Sequence, residues 1–310
     1  MERYDPRWSD DRRRNDFVES RRGRNSGPSE RDRHCEHNPR DVLTRDLDLP
    51  RSRQREFARE RDREYEINGT ESRMLATVGA FRIVSERDLQ RCCESPDTRR
   101  SVRHLEREGL IRTSPLSVDD RAVTLTDRGR DLLEANRDDR LRRAHEPPQT
   151  FYAGLRKPRE RTHDATVYRA YERAEQRLRE HGGRIERVVL DYELKRDYQR
   201  FLQERNRGRK GSGGRSDRTP AEIAQWARQH GLPYYDEHVH FPDARIEYRD
   251  RDGLSRHEDL EITTGHYRGA HAAATARSGF TRYRACGGAA GGRGGGRRTP
   301  DPKLAEEFIW

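Results

Sequence analysis

The sequence predicts an α+β domain followed by an α/β domain, flanked by charged, disordered tails. Three observations carry this expectation. Between Glu71 and Arg137, apolar residues recur at helical spacing, then alternate as in strands around a short polar run, then return to helical spacing. From His163 to Tyr283, helical stripes alternate with short apolar strands. Residues 1–68 and 286–310 lack apolar periodicity, the first rich in Arg, Asp and Glu and the last in Gly and Arg.

Within the first domain, residues 69–137, a helix is expected from Ser72 to about Ala80, with Met74, Leu75 and Val78 on its buried face. Ser85 is the expected N-cap of a second helix, with Asp88 three residues on. A turn at Ser95-Pro96 opens a third helix. Val102 and Leu105 face inward there, leaving Thr98, Arg99, Arg100, Ser101, Arg103 and His104 outward. Those side chains suit bonds to phosphates and base edges. Gly109 ends this helix as a left-handed cap. A strand starting at Leu110-Ile111 turns through 114–120 and returns as Ala122–Leu125. Thr126 then caps a helix carrying Leu132 and Leu133.

Three short helices followed by a hairpin and another helix make a winged helix-turn-helix. The run from His104 to Leu133 resembles winged-helix regulators of the MarR type. The matching residues are Leu105-Glu106, Gly109-Leu110-Ile111, Asp120-Arg121, Leu125-Thr126 and Gly129. The resemblance implies that helix 98–108 enters the major groove of duplex DNA and that Arg121 reaches the minor groove or the backbone. The long flanking helices of that family's dimer are not found.

Before this domain, Glu and Arg at i, i+4 spacing suggest a transient helix over Gln54–Glu66. His34-Cys35-Glu36-His37 has metal-ligand types but no expected scaffold. Residues 138–162, with Pro147-Pro148, read as a linker whose Phe151-Tyr152 docks on a neighbour. In the α/β domain, residues 163–285, Val167, Tyr168, Ala170, Tyr171, Ala174 and Leu178 share a helical stripe closed by Gly182-Gly183. A strand at 187–190 precedes a helix over Tyr192–Asn206, a basic Gly-rich loop from Arg207, and a helix over Ala221–His230. Strands at 242–248 and 259–264, joined by a hairpin at Asp252-Gly253, lead to an Ala-rich helix over 266–278. The closing Phe308-Ile309-Trp310 is apolar enough to pack back on a domain.

That hairpin would set Asp243 and Glu261 side by side, with Glu193 as a further acid. Paired carboxylates of this kind hold Mg²⁺ against a scissile phosphate in restriction-endonuclease-like enzymes. Thr263 stands where their Lys would be, and Arg268 is the nearest cationic substitute. The bland alternative is that Asp243 merely begins a strand and Glu261 pairs with Arg245 or Arg256. Residues 71–285 also resemble the replication-relaxation proteins of bacterial plasmids and mobile elements. The matches are His163-Asp164, Glu193, Pro242-Asp243, Glu261 and Tyr283. This implies a DNA-handling role at replication or mobilisation origins.

The formal net charge of +10, nearly all of its cationic side Arg, fits a polyanionic partner. Charged residues make up 39% and apolar ones 30%, which argues that part of the chain is not packed. Four cysteines without paired spacing indicate neither a disulfide framework nor a zinc site. No apolar run reaches membrane-spanning length, and MERYDPRWSDDRRR does not read as a signal peptide, so a cytoplasmic protein with no membrane partner is expected. The reading that follows is a duplex-DNA-binding protein, in transcription regulation or replication, with tails able to touch single-stranded nucleic acid. Two others stay open: an Mg²⁺-dependent endonuclease targeted by its winged helix, and an RNA- or protein-interaction protein using its Arg-rich tails.

Overall fold

The structure, a computed structural model, describes residues 39–93, 98–138, 147–154, 161–206, 218–263, 277–285 and 307–309. Ordered structure begins earlier than the sequence predicts. A 3₁₀ turn at Pro39–Thr44 buries Leu43, and Leu47 and Leu49 follow it inward. The expected transient helix is instead a hairpin of β1 (Glu56–Glu60) and β2 (Arg63–Ile67), paired antiparallel from Glu56↔Ile67 to Glu60↔Arg63. Its period is two: Ala58, Glu60, Tyr65 and Ile67 are buried while the charged residues between them face solvent. A sequence this charged hides its strands, because half of each strand is solvated.

Asn68 then caps α1 (Gly69–Phe81) through a reciprocal pair with Glu71, so this helix starts before the expected Ser72. Short β3 (Val84–Ser85) leads into α2 (Glu86–Cys93), where the Asp88 amide donates to Ser85 Oγ at 3.3 Å. Next come α3 (Thr98–Arg107), β4 (Ile111–Ser117), β5 (Asp120–Leu125) and α4 (Asp127–Ala135). The sheet order is β3-β5-β4, all antiparallel, with a bulge between Pro115 and Ser117. Gly109 takes φ +72°, and Thr126 Oγ accepts from the Gly129 amide at 3.1 Å. Any Cβ on Gly129 would stand 2.1 Å from the Leu110 carbonyl oxygen, so only glycine admits this crossing of helix and strand.

The expected linker is a packed joint where it is described. Gln149 is 2% exposed and bonds the backbone of Val188 in both directions at 2.9 Å, and Phe151 is buried. The remaining elements are α5 (Arg161–Glu180), β6 (Arg184–Leu190), α6 (Asp191–Gln203), α7 (Pro220–Gln229), the small pair β7 (Tyr234–Tyr235) and β8 (His238–Val239), then β9 (Ala244–Arg249), β10 (Ser255–Thr263), β11 (Thr281–Ala285) and β12 (Glu307–Ile309). The sheet order is β12-β11-β10-β9-β6, with β6, β9 and β10 antiparallel neighbours and β11 and β12 added parallel. The end of the chain, expected as tail, thus contributes a strand. The Ala-rich helix expected over 266–278, with Arg268, and the His34–His37 cluster lie outside the described residues, apart from a short turn at 277–278.

The result is an α+β fold. One apolar cluster runs from Leu43 and Leu47 through Met74, Leu105 and Leu125 to Tyr168, Ile246, Leu260 and Tyr283. The two expected domains therefore share a core within one compact unit, Pro39–Trp310. Phe81 joins them, its ring 5.0 Å from that of Tyr168 and 4.7 Å from that of Tyr171. Among the described residues no helix is long and apolar enough to cross a membrane.

Candidate nucleic-acid interface and acidic pocket

Helix α3 divides its side chains sharply. Val102 and Leu105 face the core as expected, but so do Thr98, Ser101 and His104, at 1%, 6% and 7% exposure. Arg99, Arg103 and Arg107, spaced i, i+4, i+8, form the outer stripe with Arg100 beside it. Among the described residues no carboxylate pairs with Arg99, Arg100 or Arg103. His104 is drawn inward by Glu71, whose side chain is fully buried: Nδ1 lies 3.1 Å from Glu71 Oε1, and Arg55 approaches the same oxygen at 2.9 Å. Three of the expected contact residues, Thr98, Ser101 and His104, are therefore supports of the helix and not groups on its free face.

The hairpin beside α3 is fixed to it by Glu106, whose Oε1 accepts from the Thr113 amide at 3.1 Å and from its hydroxyl at 2.5 Å. Thr113 also receives a bond from the Arg121 guanidinium, which is aimed along the exposed hairpin. At the tip, Val118 is fully exposed. Arg112 and Arg121 are both exposed, so the cationic surface extends from α3 on to the strands.

The acids expected to converge do not share one partner set. Glu193 is 7% exposed, paired with Arg187 at 3.1 Å and accepting from the Tyr152 hydroxyl at 3.3 Å. Burial, then Glu193, raises the Tyr152 pKa, so that phenol stays a donor. Glu261 follows Asp259 by two residues on β10, which places it on the face where Asp259 pairs with Arg245, and its charge is felt at Tyr235. Asp243, in the bend before β9, turns toward α5: its Oδ2 accepts from the Ile262 amide at 2.7 Å and lies 3.2 Å from His163 Nε2. Neither expected partner of Glu261 stands with it as predicted, since Arg245 is taken by Asp259 and Arg256 by Asp250. Tyr283, matched in the second resemblance, is a core residue bonded by Arg177 at 3.2 Å.

Asp243 belongs instead to a pocket of about 450 Å³ with His163, Asp164, Asp191 and Lys195, bordered by Arg82 and Tyr192. His163 lies between two carboxylates, with Nδ1 3.4 Å from Asp164 and Nε2 3.2 Å from Asp243. Burial opposes its charge, but hydrogen bonds to Asp164 and Asp243 outweigh burial and raise its pKa to about 10. Burial raises the Asp191 pKa; Lys195, 2.6 Å away, pulls it down, and Asp243 and Asp164 push it up again. Arg82 holds φ +67° at the end of α1 and lays its guanidinium 4.5 Å over the Tyr192 ring. The Asp191/Lys195 spacing of four was readable in the sequence; the convergence of His163 with Asp243 needed the fold.

Mg²⁺ demands octahedral oxygen ligands at about 2.0–2.1 Å. The residues here do not fit it. Asp164 and Asp243 sit at opposite nitrogens of one imidazole, Asp191 is held by Lys195, and among the described residues no three His, Cys, Asp or Glu side chains converge as ligands.

Comparison of the chain with protein-family models, with curated proteins and with solved structures finds no match.

Proposed function

We propose that the chain binds duplex DNA through a winged helix made by residues 69–137, of the MarR type. The order α1, β3, α2, α3, β4, β5 with sheet order β3-β5-β4 supports that reading. The observation that carries it is the Arg99, Arg100, Arg103 and Arg107 face of α3, exposed beside a hairpin bearing Arg112 and Arg121. A rod about 10–12 Å across fits the major groove, and guanidinium groups bind phosphate and guanine in two-point contacts. Thr98, Ser101 and His104 are left out of the contact set, because their burial keeps them from DNA.

Residues 163–285 are read as a restriction-endonuclease-like module that serves as scaffold. Its three antiparallel strands with an added parallel strand suit that fold, while the arrangement of Asp243, Glu193 and Glu261 gives a cleavage step no support. A role at replication or mobilisation origins, or in transcription regulation, is what the two resemblances add.

The test is the salt dependence of affinity for a duplex. Neutralising each phosphate contact releases counterions, so binding weakens linearly in log–log form as salt rises. Arg99→Ala and Arg103→Ala are each expected to lower the magnitude of that slope by about one. Unchanged slopes and affinities in both variants would remove α3 from the interface.

A further inference from the structure

One face of α5 lies along the back of the hairpin that flanks α3. Arg161, Ala165 and Arg169 recur at i, i+4, i+8, so they line one stripe of that helix. Each touches the hairpin or its base. Arg161 Nη1 donates to the Pro115 carbonyl of β4 at 3.2 Å, beside the bulge. Ala165 packs with Ile83 and Ala122, against which Leu116 also rests. Arg169 Nε pairs with Asp88 at 2.8 Å, and its Nη2 lies 3.7 Å from Asp120.

The two aspartates are 0% and 6% exposed at their side chains. Asp88 belongs to α2, and Asp120 is the first residue of β5, the strand that returns from the hairpin tip. Ser85 Oγ donates to Asp120 at 2.7 Å, and the Arg121 amide donates to its other oxygen at 2.9 Å. A buried carboxylate stays ionised only with such partners. The guanidinium of Arg169 spans both carboxylates, which fixes β5, and with it Arg121, relative to the helices.

We propose that Arg169 is a positioning residue for DNA binding: the α/β half of the chain sets the pose of the hairpin, and Arg169 is the residue through which it does so. This rests on the duplex-binding reading above. It assigns a specific job to the scaffold half: Glu106 and Thr113 tie the hairpin and the Arg121 guanidinium to α3, and Arg169 adds an anchor at the start of β5. It also explains why Asp120, adjacent to the exposed Arg121, is buried.

The test uses the full chain. Arg169→Lys retains one positive charge but cannot bridge two carboxylates with a planar fork. Binding to a mixed-sequence duplex at low salt is measured for this variant alone and combined with Arg121→Ala or with Arg103→Ala. Arg169→Lys should weaken binding about fivefold. Little of that loss should remain when Arg121 is already Ala, whereas the full loss should remain when Arg103 is Ala. Equal, additive losses in both backgrounds would overturn the proposal, as would unchanged affinity. Hydrogen exchange on the free protein gives a readout that needs no DNA. Amides of 111–125 should exchange faster in Arg169→Lys while those of α1 keep their protection; no change in 111–125 would also overturn it. If the unaltered chain binds no duplex, the duplex-binding reading falls, and the exchange result alone decides whether Arg169 braces the hairpin. Should Arg169→Lys fail to fold, Asp120→Asn removes the charge that Arg169 faces on β5, and exchange of 111–125 unchanged in it overturns the proposal.

Discussion

At the scale of single residues, what each polar or charged side chain faces decides its use. Arg99 and Arg103 face solvent and are available to an anion, whereas His104, one position from Arg103, faces Glu71 and is spent on the fold. His163 shows the same principle with a measurable consequence. Its folded-state pKa of about 10 lies above the ordinary imidazole value of 6.5, because Asp164 and Asp243 hold the charged form. Below 6.5 the imidazole is protonated in folded and unfolded chains alike, and the stabilisation is fully present. Between 6.5 and about 10 the unfolded chain releases the proton and the folded chain keeps it, so this contribution fades as pH rises. Denaturant titrations across that window should show stability falling with pH, and His163→Gln should flatten the fall. An identical pH slope in the variant would show that His163 is not held by its two carboxylates.

At the scale of elements, close crossings decide which residues are replaceable. Gly129 lies where α4 passes the Leu110 carbonyl, and a methyl group there has no room. Gly129→Ala is expected to destabilise by about 1–3 kcal/mol, the usual range for overpacking. A melting temperature equal to that of the unaltered chain would contradict the crossing. This region was also the most legible in the sequence. The helices, the Gly109 cap, the Thr126 cap and the returning strand follow from spacing and turn chemistry, which are local. What the local pattern could not reveal was the inward turn of Thr98, Ser101 and His104, since no spacing rule shows that His104 comes to lie 3.1 Å from the buried Glu71 carboxylate. The β1–β2 hairpin was hidden for a related reason: one face carries Phe57, Arg59, Glu64 and Glu66 in water, so composition reads as tail while alternation of Ala58, Tyr65 and Ile67 reads as strand. For the acids, the expected hairpin does set Asp243 beside Glu261, since Asp243 bonds the backbone of Leu260 and Ile262, but the same carboxylate also reaches His163 of α5, and no spacing rule contains that contact.

At the scale of the whole molecule, the two halves are joined by contacts that neither can replace. Phe81 ends α1 against Tyr168 and Tyr171 of α5, Ile83 and Ala122 pack on Ala165, and Gln149 closes the backbone of β6. Cutting the chain between the halves would expose these apolar faces and leave Asp88 and Asp120 buried without Arg169, each change destabilising on its own. Cooperative unfolding requires that neither part be stable once the other has opened. A core that is continuous from Leu43 to Tyr283 meets that condition. Calorimetry of the chain should therefore give one transition, with the van't Hoff enthalpy equal to the calorimetric enthalpy, and residues 69–137 expressed alone should lack the sharp melting of the full chain. Two separated transitions, or an isolated 69–137 segment that melts cooperatively, would mean that the halves are independent domains. The brace from α5 to the hairpin would then be an incidental contact.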